Sequence, residues 1–358
     1  MAVRNVEAYF ELKRTLKNPV AVSELSGIPA ADRTHVVQTA LSIYPEVENW
    51  VEQSGLVTLK QRVAATCLAT VATMPCVETS VLVKASIFGL IMFAGDDVTD
   101  AVIGAQTLEQ QEAMLTLLIE ITKSGGNSTY LDYPDITKVF PIINDVQVWA
   151  QVANAWGNFC QEVKKCQSAS LYYWFFAKRT ELDLEATRTD LRWSQAIIQK
   201  GTYPNYEQYL RNSCQSITTS IYLSLLLTMV GEPVGSEFSP PPPYTNLETL
   251  MNEVLLISGL GVRLANDIRS IERDRMEMKI NAIHILMNTQ GLSEKEAEAF
   301  LFEEMYISLK KLDEPISLLP SSLSTWGDMI RRLTWFSCIL YHTREFHQLS
   351  KEMLTMMH

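Results

Sequence analysis

The spacing of apolar residues constrains the fold of this chain more than any other feature. Apolar residues recur at intervals of three and four over long windows, as from Leu108 to Thr122 and from Val254 to Ile271, which is the pattern of an amphipathic α-helix. No stretch alternates for long with a period of two, as a half-buried strand would. Glycine and proline number only 15 and 14 in 358 residues. We therefore predict an all-α protein.

Clusters of glycine and proline mark the predicted connections between helices. They fall at 27–29, 74–75, 125–134, 201–204 and 231–247. The last contains SPPPPY, which lacks the amide donors of a helix and is expected to be a surface connection. No internal repeat or shift in composition divides the chain, so we predict one domain, residues 1–358, with roughly ten or more helices.

Composition narrows the class of protein. The chain is 47% hydrophobic and 20% charged, enough to bury a large core. Its net charge of −11 argues against broad nucleic-acid binding, which requires surplus Lys and Arg. Its six cysteines form no CxxC pair, so neither a zinc site nor a disulfide framework is indicated. Uninterrupted apolar stretches are short of the roughly 20 residues of a spanning helix, and we expect a soluble, cytoplasmic protein without stable membrane insertion.

Three aspartates follow an apolar helical run in the stretch FAGDDVTD, residues 93–100. Asp96 and Asp100 are four residues apart and Asp97 and Asp100 are three apart, so the carboxylates share one helix face. A cation would relieve their repulsion, and Mg²⁺ binds carboxylates together with water and substrate phosphate. Taken alone, the stretch fits either a metal site or an acidic, solvated helix end.

A second polar stripe lies in RLANDIRSIERD, residues 263–274. Asn266, Ser270 and Asp274 recur every four residues and therefore line up along one helix face. Their amide, hydroxyl and carboxylate oxygens are the ligands that a hard cation prefers. The alternative is an ordinary polar face, but the apolar VLLISGLGV before it suggests buried surroundings. The two stripes could face each other across a bundle, with a diphosphate between them.

Together the two stretches resemble the metal-binding motifs of class I terpene synthases. The first motif, DDxxD, matches residues 96–100, and the second, NDxxSxxxE, matches 266–274 with Asp274 in place of the usual Glu. Residues 190–231 are similar to labdane-related, kaurene-synthase-like diterpene synthases. The resemblance spans residues 60 to 345 approximately and implies a single-domain, bacterial-type helical bundle around a central active-site cavity, without the βγ domains of class II enzymes.

The resemblance also implies a cofactor and a set of site residues. The cofactor is Mg²⁺, three ions in this family, with Mn²⁺ as the alternative metal. The implied metal ligands are Asp96, Asp97, Asp100, Asn266, Ser270 and Asp274. Arg263 would contact diphosphate, and Arg211 is a second candidate for that role. Ser216, at a break within a helix, would lie close to the reacting carbons.

Aromatic side chains are candidates for the wall that shields a carbocation from water. Phe93 shares a helix face with Asp96 and is the first candidate. Trp149, Trp156 and Phe159 are spaced by seven and three residues and could form a second wall, although an aromatic stripe at this spacing also fits an ordinary core.

The implied reaction is metal-dependent ionisation of an allylic prenyl diphosphate, followed by carbocation cyclisation or rearrangement and ended by deprotonation or water capture. We expect a twenty-carbon substrate. Because the class II motif DxDD is missing from the sequence, a bicyclic labdane- or clerodane-type diphosphate would come from a separate class II cyclase. The family also often forms homodimers.

Other functions remain open from the sequence. A sesquiterpene synthase acting on farnesyl diphosphate and a cyclase of geranylgeranyl diphosphate use the same motifs. A prenyl elongating synthase would carry two aspartate-rich motifs, which the Asn, Ser and Asp stripe does not match. A non-catalytic helical scaffold, recruiting a partner through SPPPPY, would leave both polar stripes unexplained.

Overall fold

The computed structural model describes residues 33–99, 107–129, 132, 134–139 and 148–343, and within these ranges the all-α prediction is confirmed. The α-helices of these ranges are α1 Arg33–Ser54, α2 Val63–Thr73, α3 Thr79–Thr99, α4 Leu108–Ser124, α5 Pro134–Val139, α6 Val148–Lys164, α7 Ala169–Lys200, α8 Tyr206–Ser216, α9 Thr219–Val230, α10 Leu247–Met276, α11 Ala282–Gln290, α12 Glu294–Lys311, α13 Asp313–Ser317 and α14 Ser324–Thr343. Two 3₁₀ helices span Val57–Arg62 and Ser321–Leu323.

The helix ends follow local sequence chemistry. α4 and α7 end at Gly125 and Gly201, whose φ values of 71° and 61° are left-handed, a conformation that glycine adopts without a Cβ penalty. Asn246 is the N-cap of α10 and forms a capping box with Thr249. The predicted breaks at 74–75, 201–204 and 231–247 are confirmed, and the break predicted at 125–134 is confirmed for its described residues 125–129. The break at 27–29 lies outside the described residues.

The central helices are buried on nearly all sides. Every residue of α9 from Thr219 to Met229 is buried, and α3 buries most of its length against α2, α6 and α9. Trp326 of α14 is 1% exposed, and its indole nitrogen donates to the Leu223 carbonyl oxygen at 2.8 Å. Apolar burial of this extent is the main force that holds such a bundle together.

One predicted cavity wall proves to be core. Trp149, Trp156 and Phe159 are 4%, 2% and 6% exposed and do not line the central cavity. The rings of Trp156 and Phe159 lie 5.3 Å and 4.9 Å from Phe88 between centroids, and the Trp156 indole donates to Thr122 Oγ1 at 2.8 Å. The seven and three spacing therefore reflects a packed face of α6, because the same periodicity serves any buried helix side.

A glycine allows the backbones of α8 and α10 to approach each other closely. A Cβ placed on Gly259 of α10 would lie only 2.0 Å from the carbonyl oxygen of Cys214 on α8. Only glycine fits so close to another backbone. This approach places the last turn of α8, with Ser216, beside the part of α10 that carries Arg263.

A two-residue break at 217–218 separates α8 from α9. Thr218, between them, has a φ of 60°, which is uncommon for a residue with a branched side chain.

The stretch Tyr206–Val230 is the one segment of the described ranges that is long and apolar enough to cross a membrane, and 72% of its most apolar 18-residue window is buried inside the bundle. Its length exceeds what was expected, because its Ser and Thr residues interrupt the apolar pattern of the sequence. Burial at this level is what a core helix of a helical bundle shows.

Candidate active site

A cavity of about 620 Å³ opens between the helices of the bundle. Residues from α2, α3, α7, α10, α14 and the α8–α9 break line it. Its charged and amide side chains include Asp96, Arg263, Asn266, Arg273 and Asp274. Its apolar lining includes Ala69, Met92, Phe93, Leu191, Ile217, Val262, Leu333 and Leu340. The cavity therefore combines charged groups with an apolar interior, as a site for an amphiphilic ligand must.

The last turns of α3 supply one side of the polar region. Asp96 is exposed and lines the cavity, and Phe93, three residues before it on the same face, lines the cavity too. The structure thus brings these two predicted site residues together. Asp100 lies outside the described residues.

Asp97, unlike Asp96, is not among the residues that line the cavity. Its two carboxylate oxygens accept hydrogen bonds from Arg62, from Nη2 to Oδ1 at 2.8 Å and from Nη1 to Oδ2 at 2.9 Å. The Arg62 guanidinium also lies 5.2 Å from the centroid of the Phe93 ring. A bidentate pair of this kind is geometrically specific and occupies both oxygens. Asp97 therefore anchors Arg62 to α3 in this arrangement, and its role as a metal ligand stays a prediction.

Sequence reasoning missed Arg62. It lies 35 residues before Asp97, at the junction of a 3₁₀ helix and α2, where neither periodicity nor a motif distinguishes it. No local signal could have found this pair, because only the packing of α2 against α3 brings the two residues together.

α10 supplies the other side of the polar region. Asn266 and Asp274 line the cavity, and Ser270 between them is 1% exposed, with its hydroxyl donating to Asp274 Oδ2 at 2.5 Å. The predicted stripe along one helix face is therefore present. Glu272, two residues from Ser270, points away from the stripe and is paired with Arg275 at 3.0 Å.

Asn281 is a second residue that sequence reasoning missed. It is fully buried, and its Nδ2 donates to Asp274 Oδ2 and to the Asp267 carbonyl oxygen, both at 2.9 Å. Its own Oδ1 caps α11 by accepting from the Ile283 amide at 2.9 Å. The cap could have been predicted, since Asn before an apolar run favours a helix start. The hydrogen bond from Asn281 to Asp274 could not have been predicted, because it depends on how α11 packs against α10.

Arg263 is held at its inner edge and faces the cavity. Its Nε donates to the Tyr209 hydroxyl at 2.8 Å and lies 3.0 Å from Asp267 Oδ1, and the Tyr209 hydroxyl in turn donates to Asp267 Oδ2 at 2.6 Å. Burial raises the pKa of Asp267 to about 6, although Arg263 and Tyr209 oppose that shift. Within the described ranges Nη1 and Nη2 make no hydrogen bond. This edge of the guanidinium is available to an anion.

Ser216 also lines the cavity, at the end of α8. Its hydroxyl donates to Asp190 Oδ2, while Asn212 Nδ2 donates to Asp190 Oδ1 at 2.7 Å. The carboxylate of Asp190, on α7, also lines the cavity and fixes the last turn of α8 there. Asp190 and Asn212 both lie within residues 190–231, the stretch that is similar to diterpene synthases, but neither was assigned a site role from the sequence.

The structure does not bring Arg211 into the site. Its side chain is 84% exposed, 3.9 Å from Glu207 on the same helix, and it is not among the residues that line the cavity. Arg211 lies two residues, about half a helix turn, from the buried Tyr209 and Ser213, so its side chain points to the opposite face of α8.

The donor set on both sides of the cavity fits a hard divalent cation. Asp96 stands on α3 and Asn266 and Asp274 stand on α10, and all three line one cavity; their side chains carry the oxygen atoms that Mg²⁺ prefers as ligands. Within the described ranges no three His, Cys, Asp or Glu side chains cluster at metal-binding distance. The fit therefore rests on amide, hydroxyl and substrate oxygens as well as carboxylates.

Comparison with known proteins agrees with this geometry. Residues 88–311 match the family model described as terpene synthase family 2, C-terminal metal binding. Isopimaradiene synthase from Isodon rubescens is 29% identical over 96 residues, which are 27% of this chain and 12% of that protein. The chain thus spans only a small part of the length of this curated relative.

Solved structures share the fold. Abietadiene synthase from Abies grandis superposes with a TM-score of 0.65 at 16% identity, over 89% of this chain and 40% of that one. A linalool/nerolidol synthase from Streptomyces clavuligerus gives a TM-score of 0.60 at 17% identity, over 85% of this chain and 94% of that one. At these identities the likeness concerns the helical fold. Because the family model covers residues 88–311, more than half of the chain, the protein belongs to the terpene synthase family.

Proposed function

We propose that this protein is a class I terpene synthase that ionises an allylic prenyl diphosphate and directs the resulting carbocation to a terpene product. Diphosphate leaves as the C–O bond breaks, the cation cyclises or rearranges, and loss of a proton or capture of water ends the reaction. The proposed cofactor is Mg²⁺, with Mn²⁺ as the alternative.

One observation carries this proposal. Asp96 of α3 and the stripe of Asn266 and Asp274 on α10 line the same cavity, and the cavity continues into an apolar interior. A diphosphate with a hydrocarbon tail matches both parts. Divalent cations held by these oxygens would neutralise the diphosphate and stabilise it as a leaving group.

The chain's own residues have separate tasks in this proposal. The outer edge of Arg263 binds diphosphate oxygens, while Tyr209 and Asp267 fix its orientation. Phe93 presents an aromatic surface to the cavity, and aromatic faces attract cations. The apolar lining excludes water from the carbocation.

The proposed substrate has twenty carbons. The similarity of residues 190–231 to labdane-related diterpene synthases supports it, and so does the matched relative's name, isopimaradiene synthase. A bicyclic diphosphate made by a separate class II cyclase is the preferred form. Farnesyl diphosphate is the alternative, supported by the shared fold of a linalool/nerolidol synthase.

The test is product analysis with purified full-length protein and Mg²⁺. Farnesyl, geranylgeranyl and bicyclic labdane-type diphosphates are supplied separately, diphosphate release is measured, and organic extracts are analysed by gas chromatography with mass detection. We expect a metal-dependent terpene from one substrate. Light scattering on the same preparation tests the expected homodimer.

Asp96→Ala provides the control for ionisation, and Glu272→Ala provides the matched acidic control, because Glu272 is 70% exposed and paired with Arg275. Loss of product in the first variant but not in the second supports the proposal. Folded protein that releases no diphosphate from any of the three substrates contradicts it.

A further inference from the structure

Two hydroxyl groups lie against the cavity away from its metal-binding side. Thr70 Oγ1 of α2 and the Tyr222 hydroxyl of α9 are 2.9 Å apart, and both residues line the cavity. Thr70 is 2% and Tyr222 8% exposed. A polar pair is unexpected where the ligand's hydrocarbon is to be bound.

The position of the pair is fixed by helix geometry. Thr70 lies eight residues beyond Arg62 along α2, which is about 12 Å at the rise of an α-helix. On α3, Gly89 stands beside the ring: a Cβ there would lie 3.9 Å from Tyr222 Cε2. Asp96 is seven residues further along α3, about 10 Å away. The hydroxyl pair is therefore well separated from the oxygens that would hold metal and diphosphate.

The pair has hydrogen-bonding capacity to spare. Two other threonine hydroxyls at the cavity have carbonyl acceptors: Thr66 donates to the Arg62 carbonyl oxygen at 2.8 Å and Thr218 to that of Ile217 at 2.7 Å. Thr70 and Tyr222 bond to each other. Two hydroxyls carry two hydrogens, so one O–H is left without an acceptor among the described residues. A buried donor in this state is destabilising, and an oxygen-bearing ligand that accepts from it would offset that cost.

Building on the proposed function, we infer that Thr70 and Tyr222 form an oxygen-binding subsite in the hydrocarbon part of the cavity. The bound oxygen belongs either to a water that captures the carbocation or to a hydroxyl group on the ring system of a pre-cyclised diphosphate. In the first case a C–O bond forms between water and the cationic carbon, one O–H bond breaks, and the proton passes to the released diphosphate. In the second case no bond changes, and the pair selects the substrate.

The variants Tyr222→Phe and Thr70→Val remove one hydroxyl each while nearly preserving shape, and Thr70→Ser is the control that retains it. Each protein is incubated with Mg²⁺ and three substrates: geranylgeranyl diphosphate, a bicyclic diphosphate with a ring hydroxyl, and its deoxy counterpart. The reactions run in ¹⁸O-labelled water, and diphosphate release is measured beside the products.

Two results support the inference and distinguish the oxygen's source. If water is bound, the wild-type alcohol carries ¹⁸O, and the ratio of alcohol to hydrocarbon falls about 10-fold or more in both hydroxyl-deleting variants, the effect of losing one hydrogen bond. If a substrate hydroxyl is bound, the kcat/KM preference for the hydroxylated over the deoxy substrate falls by a similar factor. Thr70→Ser resembles wild type in either case.

Diphosphate release separates failure of this inference from failure of the proposed function. If diphosphate is released and neither ratio differs from wild type in the two variants, the pair is merely a link between α2 and α9 and the inference is wrong. If folded wild-type protein releases no diphosphate from any substrate, the proposed function is wrong, and the inference falls with it.

Discussion

Arg62 binds both carboxylate oxygens of Asp97, at 2.8 and 2.9 Å, while Asp96, its neighbour in sequence, faces the cavity. Adjacent aspartates of one motif thus have different tasks. The first lines the cavity, and the second fixes the guanidinium of a residue that precedes another helix. The pair is only partly exposed, 24% for Arg62 and 13% for Asp97, so water screens it incompletely.

This division of tasks predicts unequal effects of two matched substitutions. Asp96→Asn is expected to lower the rate of diphosphate release more than 100-fold at saturating Mg²⁺, whereas Asp97→Asn lowers it roughly 10- to 100-fold, the usual effect of losing a residue that supports a ligand. Steady-state rates and Mg²⁺ titrations measure both effects. Arg62→Gln should reproduce Asp97→Asn, and the double variant should be no worse than either single one. Equal losses at positions 96 and 97 would contradict this division.

Asn281 offers a test of the stripe on α10. Asn281→Ser retains a side chain able to cap α11 but loses the donor to Asp274 Oδ2. We expect the Mg²⁺ concentration for half-maximal activity to rise about 10-fold, because the carboxylate loses a group that orients it. Asn288→Ser is the control, since Asn288 is exposed and bonds only within its own helix. A Mg²⁺ dependence equal to that of wild type in Asn281→Ser would show that Ser270 alone orients Asp274.

The two arginines proposed from the sequence should now behave differently. Arg211→Gln is expected to change kcat and KM by less than about 2-fold, since an exposed ion pair contributes little. Arg263→Gln should lower kcat/KM roughly 100-fold or more, as the loss of a charge-assisted bond to diphosphate requires. Arg263→Lys retains the charge beside Asp267 but not the forked geometry, so partial recovery would identify bidentate binding. A comparable loss in both Gln variants would restore Arg211 as a site residue.

Whether a feature could be predicted depends on how far apart in the sequence its residues lie. Helical periodicity is local, so the all-α fold and most connections could be predicted. The residues Asn266, Ser270 and Asp274 recur at intervals of four on one helix, so their alignment on one face could also be predicted from the sequence. Arg62, Asp190 and Asn281 act across helices, and the interior placement of Trp156 depends on which side of α6 meets the core. Such relationships are set by packing, which one sequence does not encode locally.

Ser216 illustrates the intermediate case. Its proximity to the cavity was expected only through family resemblance, and the structure adds the carboxylate of Asp190 that receives its hydroxyl. The left-handed conformation of Thr218 could not be predicted from residue type, because threonine seldom adopts it.

Two glycines of α10 provide a matched test of the packing that supports the site. Gly259→Ala is expected to lower the free energy of unfolding by about 1–3 kcal/mol or more, because its Cβ would collide with the Cys214 carbonyl oxygen. Gly261→Ala meets nothing closer than 3.6 Å and should be neutral or stabilise the helix by up to about 1 kcal/mol. Urea unfolding followed by circular dichroism measures both. A stable Gly259→Ala variant would mean that α8 and α10 can separate without cost.

The buried pair of Arg179 and Asp183 on α7 predicts a pH dependence of stability. Asp183 Oδ1 accepts from Arg179 Nη2 at 2.6 Å, and Oδ2 accepts from the Ile221 amide at 3.1 Å. Around the pair lie Cys214 and Gln215 of α8, Ser220 of α9 and Asn252 of α10. Burial raises the pKa of Asp183 to about 7, although Arg179 opposes the shift.

The sign follows from proton binding. An unfolded Asp has a pKa near 3.9, so between about pH 4 and pH 7 the folded state binds more protons than the unfolded state and stability falls as the pH rises. Asp183→Asn removes this dependence. The unfolding free energy of wild type minus that of the variant, measured in urea from pH 5 to pH 8, should therefore decrease with pH, by at most about 1.4 kcal/mol per unit. Glu185→Gln, two residues along the same helix with a carboxyl group that is 48% exposed, should give a nearly constant difference. A wild-type advantage over Asp183→Asn that stays constant or grows with pH would mean that Asp183 is already ionised at pH 5, with Arg179 outweighing the cost of burial.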